Sequence, residues 1–161
     1  MACMDSTDVQ ILALLSHDGR MSYTDVGRAA GLSTSAAQQR IRHLEQRGYI
    51  SGYHAHLSAS ALGRDMTAFI SLRACNSKQD DSIPELLAAM PEITCCYSVA
   101  GDASFLCAAR VGTTDDLERL LNRIRHIADV STSTTVVLKT FFRGRPLINQ
   151  GDSNELWDTE N

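Results

Sequence analysis

No stretch of this 161-residue sequence is apolar for long enough to cross a lipid bilayer, so we expect no membrane partner. The first residues, Met1 to Asp5, also lack the basic flank and apolar core of a secretion signal. These two absences together predict a cytoplasmic protein.

Paired cysteine spacing is missing as well. The sequence has five cysteines and no Cys-x-x-Cys pair: Cys3, Cys75, Cys95, Cys96 and Cys107. An odd set without paired spacing disfavours a disulfide scaffold and a zinc site. Cysteines within apolar, strand-like stretches usually pack as small buried hydrophobes. Cys95 and Cys96 are adjacent in a predicted strand, so they point to opposite faces and are poorly placed to pair with each other. Packing is the default interpretation, and a redox sensor built on Cys107 or Cys95 stays open as its alternative.

Catalytic motifs are absent too. We find no Ser/His/Asp or Cys/His set at a recognisable spacing and no phosphate-binding glycine loop, which predicts that the protein is not an enzyme. An enzyme stays open as an alternative, and turnover of an amino acid by the protein would support it. His54 and His56 share one face of a predicted strand, but no third ligand is evident, so we expect neither a metal nor a cofactor.

Acidic side chains are scarce in one part of the chain, although the formal charge of the whole is −4. Between Ser33 and Arg64 the only acid is Glu45. The basic residues of that segment are Arg40, Arg42, Arg47 and Arg64, with His43, His54 and His56 nearby. The local sign of charge matters more than the total for attracting a polyanion, so this segment is a candidate to bind nucleic acid.

Three helices are predicted in the first third of the chain. The first begins at the carboxylate cap Asp5, and the second begins at Ser22 in a capping-box-like run and stops at Gly31. The third is capped by Ser33 and runs to Gln46 or the next residue. Its inward positions are Ala37, Ile41 and Leu44. Two helices joined by the tight turn at 31–33, the second with a polar outer face, describe a helix-turn-helix.

The second half of the chain changes character. Residues 49–57 alternate loosely and predict a short strand that leaves the helix-turn-helix. Strand patterns then follow at 67–74, 93–99, 104–111 and 130–142, and helical patterns follow Ser82 and Asp115. The order β-α-β-β-α-β is that of a ferredoxin-like sandwich, so the predicted fold class is α+β.

Seven short runs stand in a specific order and spacing: Met4–Leu12, Asp18–Arg20, Gly31–Ser33, Arg40–Glu45, Gly48–Ile50, Gly52–Tyr53 and Ser98–Asp102. This set resembles the leucine-responsive/asparagine-type (Lrp/AsnC, feast/famine) family of bacterial transcriptional regulators. The resemblance implies a winged helix-turn-helix joined to an amino-acid-sensing βαββαβ domain. It also implies homodimers, paired sheet to sheet, that assemble further, often into octamers.

Four segments follow from the patterns and the resemblance together. We predict a helix-turn-helix DNA-binding domain at 1–57, a small-residue linker at 58–66, an effector-binding and oligomerisation domain at 67–150 and a polar acidic tail at 151–161. The predicted function is sequence-specific binding of double-stranded DNA, modulated by a small effector, an amino acid. The alternative is an architectural DNA-binding protein that uses no effector.

The DNA contacts are predicted on the third helix and its cap: Ser33, Thr34, Ser35, Gln38, Gln39, Arg40, Arg42 and His43. The amides of Gln38 and Gln39 can read base edges, and Arg40 and Arg42 are placed to clamp phosphates. Arg40 could equally be a structural ion-pair partner of a carboxylate on the first helix. A solvated polar face on an ordinary surface helix is the plain alternative for the whole set.

The effector site is predicted, on the strength of the resemblance, near the Gly101-Asp102 turn. Its residues are Val99, Ala100, Gly101, Asp102, Ser104, Thr132 and Thr134. Turn amides could hold an α-carboxylate, Asp102 or a neighbouring carbonyl could hold the ammonium group, and the two threonines could add hydroxyls. Relatives often carry an aromatic residue and an aspartate after this turn, where this chain has Ala103 and Ser104. An ordinary hairpin turn is the alternative, since Gly and Asp are common in turns.

Overall fold

The computed structural model describes residues 4–74 and 82–148, and it divides the chain into two compact units. Residues 4–56 and 142–148 belong to the first unit, and residues 57–141 belong to the second. The predicted boundary at 57/58 lies one residue beyond this division. The predicted effector domain runs to 150, whereas the division falls after Phe141, beyond the end of the last strand. Cys3, Cys75, the loop at 77–81 and the tail at 151–161 lie outside the described residues.

The first unit is built on three helices: α1 (Ser6–His17), α2 (Tyr23–Ala30) and α3 (Thr34–Gln46). The three caps predicted in this unit are confirmed, because Asp5, Ser22 and Ser33 accept hydrogen bonds from backbone amides of the turns they begin. Gly31 ends α2 at a φ of 68°, a conformation that glycine adopts without steric cost. The buried core of this unit contains Ile11, Leu14, Val26, Ala37, Ile41 and Leu44.

The second unit is a four-stranded antiparallel sheet with helices on one face. It contains a 3₁₀ turn (Ser60–Leu62), β1 (Met66–Ala74), α4 (Ile83–Ala88), β2 (Ile93–Ser98), β3 (Phe105–Val111), α5 (Thr114–Ala128) and β4 (Val130–Val136). The strand order β2-β3-β1-β4 confirms the predicted ferredoxin-like sandwich. Alternate residues of β1 and β3, among them Ile70, Leu72 and Cys107, pack against α4 and α5, and Leu120 and Ile124 of α5 are buried in the same core.

Three expectations from the sequence differ from the structure. The strand predicted at 49–57 is not formed, since 51–58 have no regular structure and are exposed, and no described residue pairs with them. The last strand ends at Val136 rather than at 142, because the pairing with β1 ends there. Cys95 and Cys96 are exposed rather than packed, because β2 is an edge strand, whereas Cys107 on the inner strand β3 is buried.

Candidate nucleic-acid interface and ligand pocket

The outer face of α3 lines an open groove of about 790 Å³ in the first unit. The groove is lined by Asp8, Ser35, Gln38, Gln39, Arg40, Arg42, His43 and Gln46. Six of the eight residues predicted to contact DNA are therefore brought to one surface. Gln46 was not among the predicted contacts, although the helical period places it on the same outer face, one helical turn beyond Arg42.

The other two predicted residues lie at the start of α3 and make local hydrogen bonds. Ser33 caps the helix by accepting from the amide of Ala36 at 3.2 Å. The hydroxyl of Thr34 donates to the hydroxyl of Thr24 on α2 at 3.4 Å. Both side chains are exposed, and the hydrogen bond of Thr34 links α3 to α2.

Arg40 is held by two carboxylates at the start of α1. Its guanidinium lies 2.7 Å from Asp8 and 2.7 Å from Asp5. The hydrogen bonds that it donates to Asp8 and Asp5 raise the pKa of Arg40, and they outweigh the opposing effect of burial. Arg40 ties α3 to α1 and neutralises the acid that lines the groove, which favours the structural interpretation left open by the sequence.

Glu45, the single acid of the 33–64 segment, also has a hydrogen-bond partner. The hydroxyl of Tyr53 donates to Glu45 at 3.0 Å. Burial first, and then this hydrogen bond, raise the pKa of Tyr53 to about 12, so the phenol stays protonated near neutral pH. Arg42, in contrast, forms no ion pair with any residue in the parts of the chain that the structure describes. The groove therefore presents three side-chain amides, the hydroxyl of Ser35 and the unpaired guanidinium of Arg42.

A second polar cavity, of about 380 Å³, lies in the second unit beside the β2–β3 hairpin. It is lined by Ser71, Leu72, Arg73, Asp102, Ala103, Ser131, Thr132 and Ser133. Ser71 and Arg73 are paired in register with Ser133 and Ser131, so these four side chains share the sheet face that α4 and α5 leave uncovered. We refer to this cavity as the ligand pocket.

The ligand pocket contains one cation and one anion side by side. Arg73 donates from Nε to the backbone carbonyl of Asp102 at 2.8 Å, and its Nη2 lies 4.0 Å from Oδ1 of the Asp102 carboxylate. The side chain of Arg73 is 63% exposed and that of Asp102 is fully exposed, so their mutual attraction is screened by water and weak. Both charges remain available to a zwitterion that offers them better-aligned partners.

The ligand pocket includes only part of the predicted effector set. Of that set, Asp102 and Thr132 line it. Val99 donates its amide to the carbonyl of Ser104, which closes the hairpin, and Gly101 turns the chain at a φ of 146°. Thr134 lies on the sheet face that carries α5, and Thr132 shares that face and accepts a hydrogen bond from Arg125 at 2.8 Å.

The sequence reasoning missed Arg73, Ser131 and Ser133. Period-two alternation would have put the serines on the face opposite to the threonines, but only the strand order shows which face carries the pocket. Arg73 lies 29 residues before Asp102 in the sequence, and no local pattern connects the two.

Two further observations concern the described residues only. No helix in 4–74 or 82–148 is long and apolar enough to span a membrane. Within the same residues, no three His, Cys, Asp or Glu side chains are grouped closely enough to hold a metal ion.

Two family models match the chain, one for each unit. The model of the AsnC-type helix-turn-helix domain matches residues 4–45, and the model of the Lrp/AsnC ligand binding domain matches residues 67–147. The first match covers α1, α2 and nearly all of α3, and the second covers the sheet apart from the first residue of β1. Apart from Gln46, the residues that line the groove and the ligand pocket therefore lie in segments that the two models match.

Similar proteins are found among characterised sequences and among solved structures. The chain is 39% identical to the HTH-type transcriptional regulator LrpA of Mycobacterium tuberculosis, over 88% of this chain and 95% of that protein. A structure of a feast or famine regulatory protein from M. tuberculosis complexed with L-methionine superposes with a TM-score of 0.86 at 39% identity, covering 89% of this chain and 98% of that one. The AsnC structure from E. coli gives a TM-score of 0.81 at 27% identity, covering 87% and 95%.

Proposed function

Because this chain belongs to the Lrp/AsnC family of transcriptional regulators, we propose that it reads a specific DNA sequence with the outer face of α3 and binds an amino acid in the ligand pocket. The observation that carries the proposal is the composition of the groove on α3. Its amides, its one hydroxyl and its one unpaired arginine are the groups that recognise base edges and phosphates, and its one acid is neutralised by Arg40.

The amino acid is proposed from the chemistry of the ligand pocket. Arg73 can bind the α-carboxylate with two N–H groups, and Asp102 can accept from the ammonium group. Hydroxyls of Ser71, Ser131 and Ser133 surround these charges and can complete the hydrogen bonds. The relative complexed with L-methionine supports this ligand class, and we extend it to this chain as part of the proposal.

We further propose that the chain acts as a homodimer that assembles into a larger oligomer, an octamer. The uncovered face of the sheet exposes Phe69 and Tyr97, at 44% and 57%, as expected for a surface that pairs with a second copy. A dimer would present two copies of α3 to successive major grooves, so we expect imperfect palindromes with half-sites about one helical turn apart or a multiple of it. The cytoplasm is the proposed location, since duplex DNA is the proposed target.

Binding of an amino acid in the ligand pocket would change binding of DNA at α3 by shifting the populations of two arrangements of the oligomer. An amino acid that binds one arrangement of the oligomer more tightly than another changes the fraction of protein that fits the DNA. The size of the effect is limited by the ratio of the two affinities.

Binding to the DNA upstream of its own gene, measured by mobility shift with and without each amino acid, tests the whole proposal. We expect a shift at low salt that changes with at least one amino acid. A shift that no amino acid alters would contradict the effector half and favour the architectural alternative. No shift in low salt would contradict the DNA half as well.

Arg42 and Arg40 are expected to behave differently when each is replaced by alanine. Arg42→Ala should weaken binding to specific and random DNA alike and reduce the slope of log affinity against log salt by about one per lost phosphate contact. Arg40→Ala should leave that slope nearly unchanged, because Arg40 forms ion pairs with Asp5 and Asp8. Loss of these ion pairs should lower the midpoint of thermal unfolding.

Fluorescence anisotropy over a range of salt concentrations, together with thermal unfolding of both variants, separates these effects. Equal loss of slope in the two variants would show that Arg40 also contacts phosphate. An unchanged slope in Arg42→Ala would mean that this face of α3 does not lie against the DNA backbone.

A further inference from the structure

Two cysteines face each other across the β2–β3 hairpin, and neither lines the groove on α3 or the ligand pocket. The strand register pairs Cys96 on the edge strand β2 directly with Cys107 on β3. Their side chains therefore point to the same face of the sheet, the face that carries α4 and α5. We infer that these two thiols are a site of oxidative modification and form a reversible disulfide when the protein meets a peroxide.

The hydrogen bonds of the hairpin put this pair at a position where the two strands are closest. The amide of Val99 donates to the carbonyl of Ser104 at 3.1 Å, and hydrogen-bonded pairs alternate with non-hydrogen-bonded pairs along an antiparallel ladder. Cys96 and Cys107 stand an odd number of positions from that bond, so they form a non-hydrogen-bonded pair. In such a pair the Cα atoms are about 4.5 Å apart, within the range of roughly 4.4–6.8 Å that a disulfide spans.

The two thiols differ in their access to dissolved reagents. Cys96 is exposed on the outer strand, and Cys107 is buried. Burial first, and then the neighbouring thiol of Cys96, raise the pKa of Cys107 to about 12, so this thiol stays protonated near neutral pH. Because the thiolate is the reactive form of cysteine, oxidation begins at Cys96, and Cys107 reacts only afterwards as the second thiol.

The oxidation takes two steps and consumes one molecule of peroxide. In the first step the Cys96 thiolate attacks a peroxide oxygen and the O–O bond breaks. Cys96 becomes a sulfenic acid, and the departing hydroxide takes up the proton that Cys96 had released. In the second step the Cys107 sulfur attacks the Cys96 sulfur, the S–O bond breaks, and the hydroxyl group leaves with the Cys107 proton as water. Two thiols and hydrogen peroxide thus give one disulfide and two molecules of water, with two electrons passing from sulfur to the peroxide.

The exposure of Cys96 makes the disulfide reversible. In the cytoplasm, the proposed location, cysteines are kept reduced and the disulfides that form are transient. A dissolved thiol can attack the Cys96 sulfur from solvent, and a second exchange restores both cysteines. The turn of the same hairpin carries Asp102, which lines the ligand pocket, so the disulfide would tie together the two strands that hold this wall of the pocket.

Cys95 provides a matched control beside the pair. It is exposed on the same edge strand, but it is paired with Ala108 and so points to the opposite face of the sheet. Its sulfur cannot bond to that of Cys107 unless the strand rearranges. Cys95→Ser should therefore leave formation of the disulfide unchanged, whereas Cys96→Ser should abolish it. Both variants replace an exposed thiol by a hydroxyl, so the fold should tolerate them.

The test is oxidation of the reduced full-length protein with an equivalent of hydrogen peroxide, followed by alkylation of the remaining thiols and peptide mapping by mass spectrometry. We expect the unsubstituted protein and Cys95→Ser to lose one pair of free thiols and to yield a peptide cross-linked between Cys96 and Cys107. Dithiothreitol should remove this cross-link. Cys107→Ala, which keeps a small apolar side chain in the core, should stop at the sulfenic acid of Cys96, which dimedone traps.

Three outcomes would overturn the inference. The first is a pair that stays reduced in excess peroxide. The second is a sulfenic acid on Cys96 that dimedone traps equally in the unsubstituted protein and in Cys107→Ala, because Cys107 would then not reach it. The third is a disulfide that links two chains, or that joins other cysteines in place of this pair, because encounters between exposed thiols would then decide the product. The assay contains no DNA and no amino acid, so its result is independent of the proposed function.

Discussion

A variant that carries both Gln38→Ala and Gln39→Ala is expected to keep binding DNA and to lose most of its preference for its own site. Each side-chain amide can form a bidentate pair with a base edge, worth about 1–3 kcal/mol of discrimination. Loss of both pairs would lower the ratio of specific to random affinity by about 30-fold or more per subunit. Phosphate contacts would be left in place, so affinity for random DNA should change little.

Competition mobility shifts with specific and random duplexes of equal length measure that ratio directly. The buried residues of α3 are untouched, and alanine favours helix more than glutamine, so the fold should tolerate the change. Gln10→Ala is the matched control, because its amide bonds to the carbonyl of Ala29 and lies outside the groove. An unchanged ratio in the double variant would place base recognition elsewhere on the chain.

The helices that carry this prediction could be read from the sequence because their signals are local. Ser33 caps α3 by reaching an amide three residues away, and Gly31 ends α2 through its own φ. The buried stripe of α3 follows from a period that the sequence displays. These signals need no knowledge of the rest of the chain, so the structure confirms them within a residue or two.

The functional surfaces were harder to predict from the sequence, because the residues that meet there are distant from one another along the chain. Arg73 meets Asp102 across 29 residues without any local signal, and the pairing of Arg40 with a carboxylate of α1, across 32 residues, was open from the sequence only as an alternative to a phosphate contact. Which face of β4 carries the ligand pocket depends on the positions of α4 and α5, not on the alternation of β4 itself. A sequence pattern gives the two faces of a strand without saying which one is covered.

The errors at strands have the same origin. Residues 49–57 alternate as a strand would, but a strand also needs a hydrogen-bonded neighbour, and none of the described residues provides one. Cys95 and Cys96 look like core residues by composition, yet they lie on the edge strand β2. Whether a strand lies at the edge or in the centre of a sheet depends on the strand order, which the sequence of a single segment does not encode.

Arg73→Gln is expected to weaken binding of the amino acid by about 10- to 100-fold, because a hydrogen bond between charged groups contributes about 1.5–3 kcal/mol. Binding of DNA without amino acid should stay unchanged, since Arg73 lies in the second unit and its side chain is 63% exposed. Its loss should also cost little stability, because its exposed ion pair with Asp102 is weak. Calorimetry with the amino acid identified by mobility shift measures the change.

Arg125→Gln provides a control that distinguishes the two faces of β4. Arg125 donates to Thr132 on the face that carries α5, whereas Arg73 and Ser131 share the uncovered face. If the amino acid is bound on the uncovered face, Arg125→Gln should bind it nearly as well as the unsubstituted protein. A loss confined to Arg125→Gln would instead favour the threonine hydroxyls predicted from the sequence.

Truncated ligands assign the two charged ends of the amino acid to their partners. An α-hydroxy acid lacks the ammonium group, so its affinity should be insensitive to Asp102→Asn and still fall with Arg73→Gln. The corresponding amine, which lacks the carboxylate, should show the reverse dependence. Equal losses of affinity for both ligands in both variants would contradict this assignment. Arg73 and Asp102 would then stabilise the hairpin without contacting the ligand, because a structural effect does not depend on which charge the ligand carries.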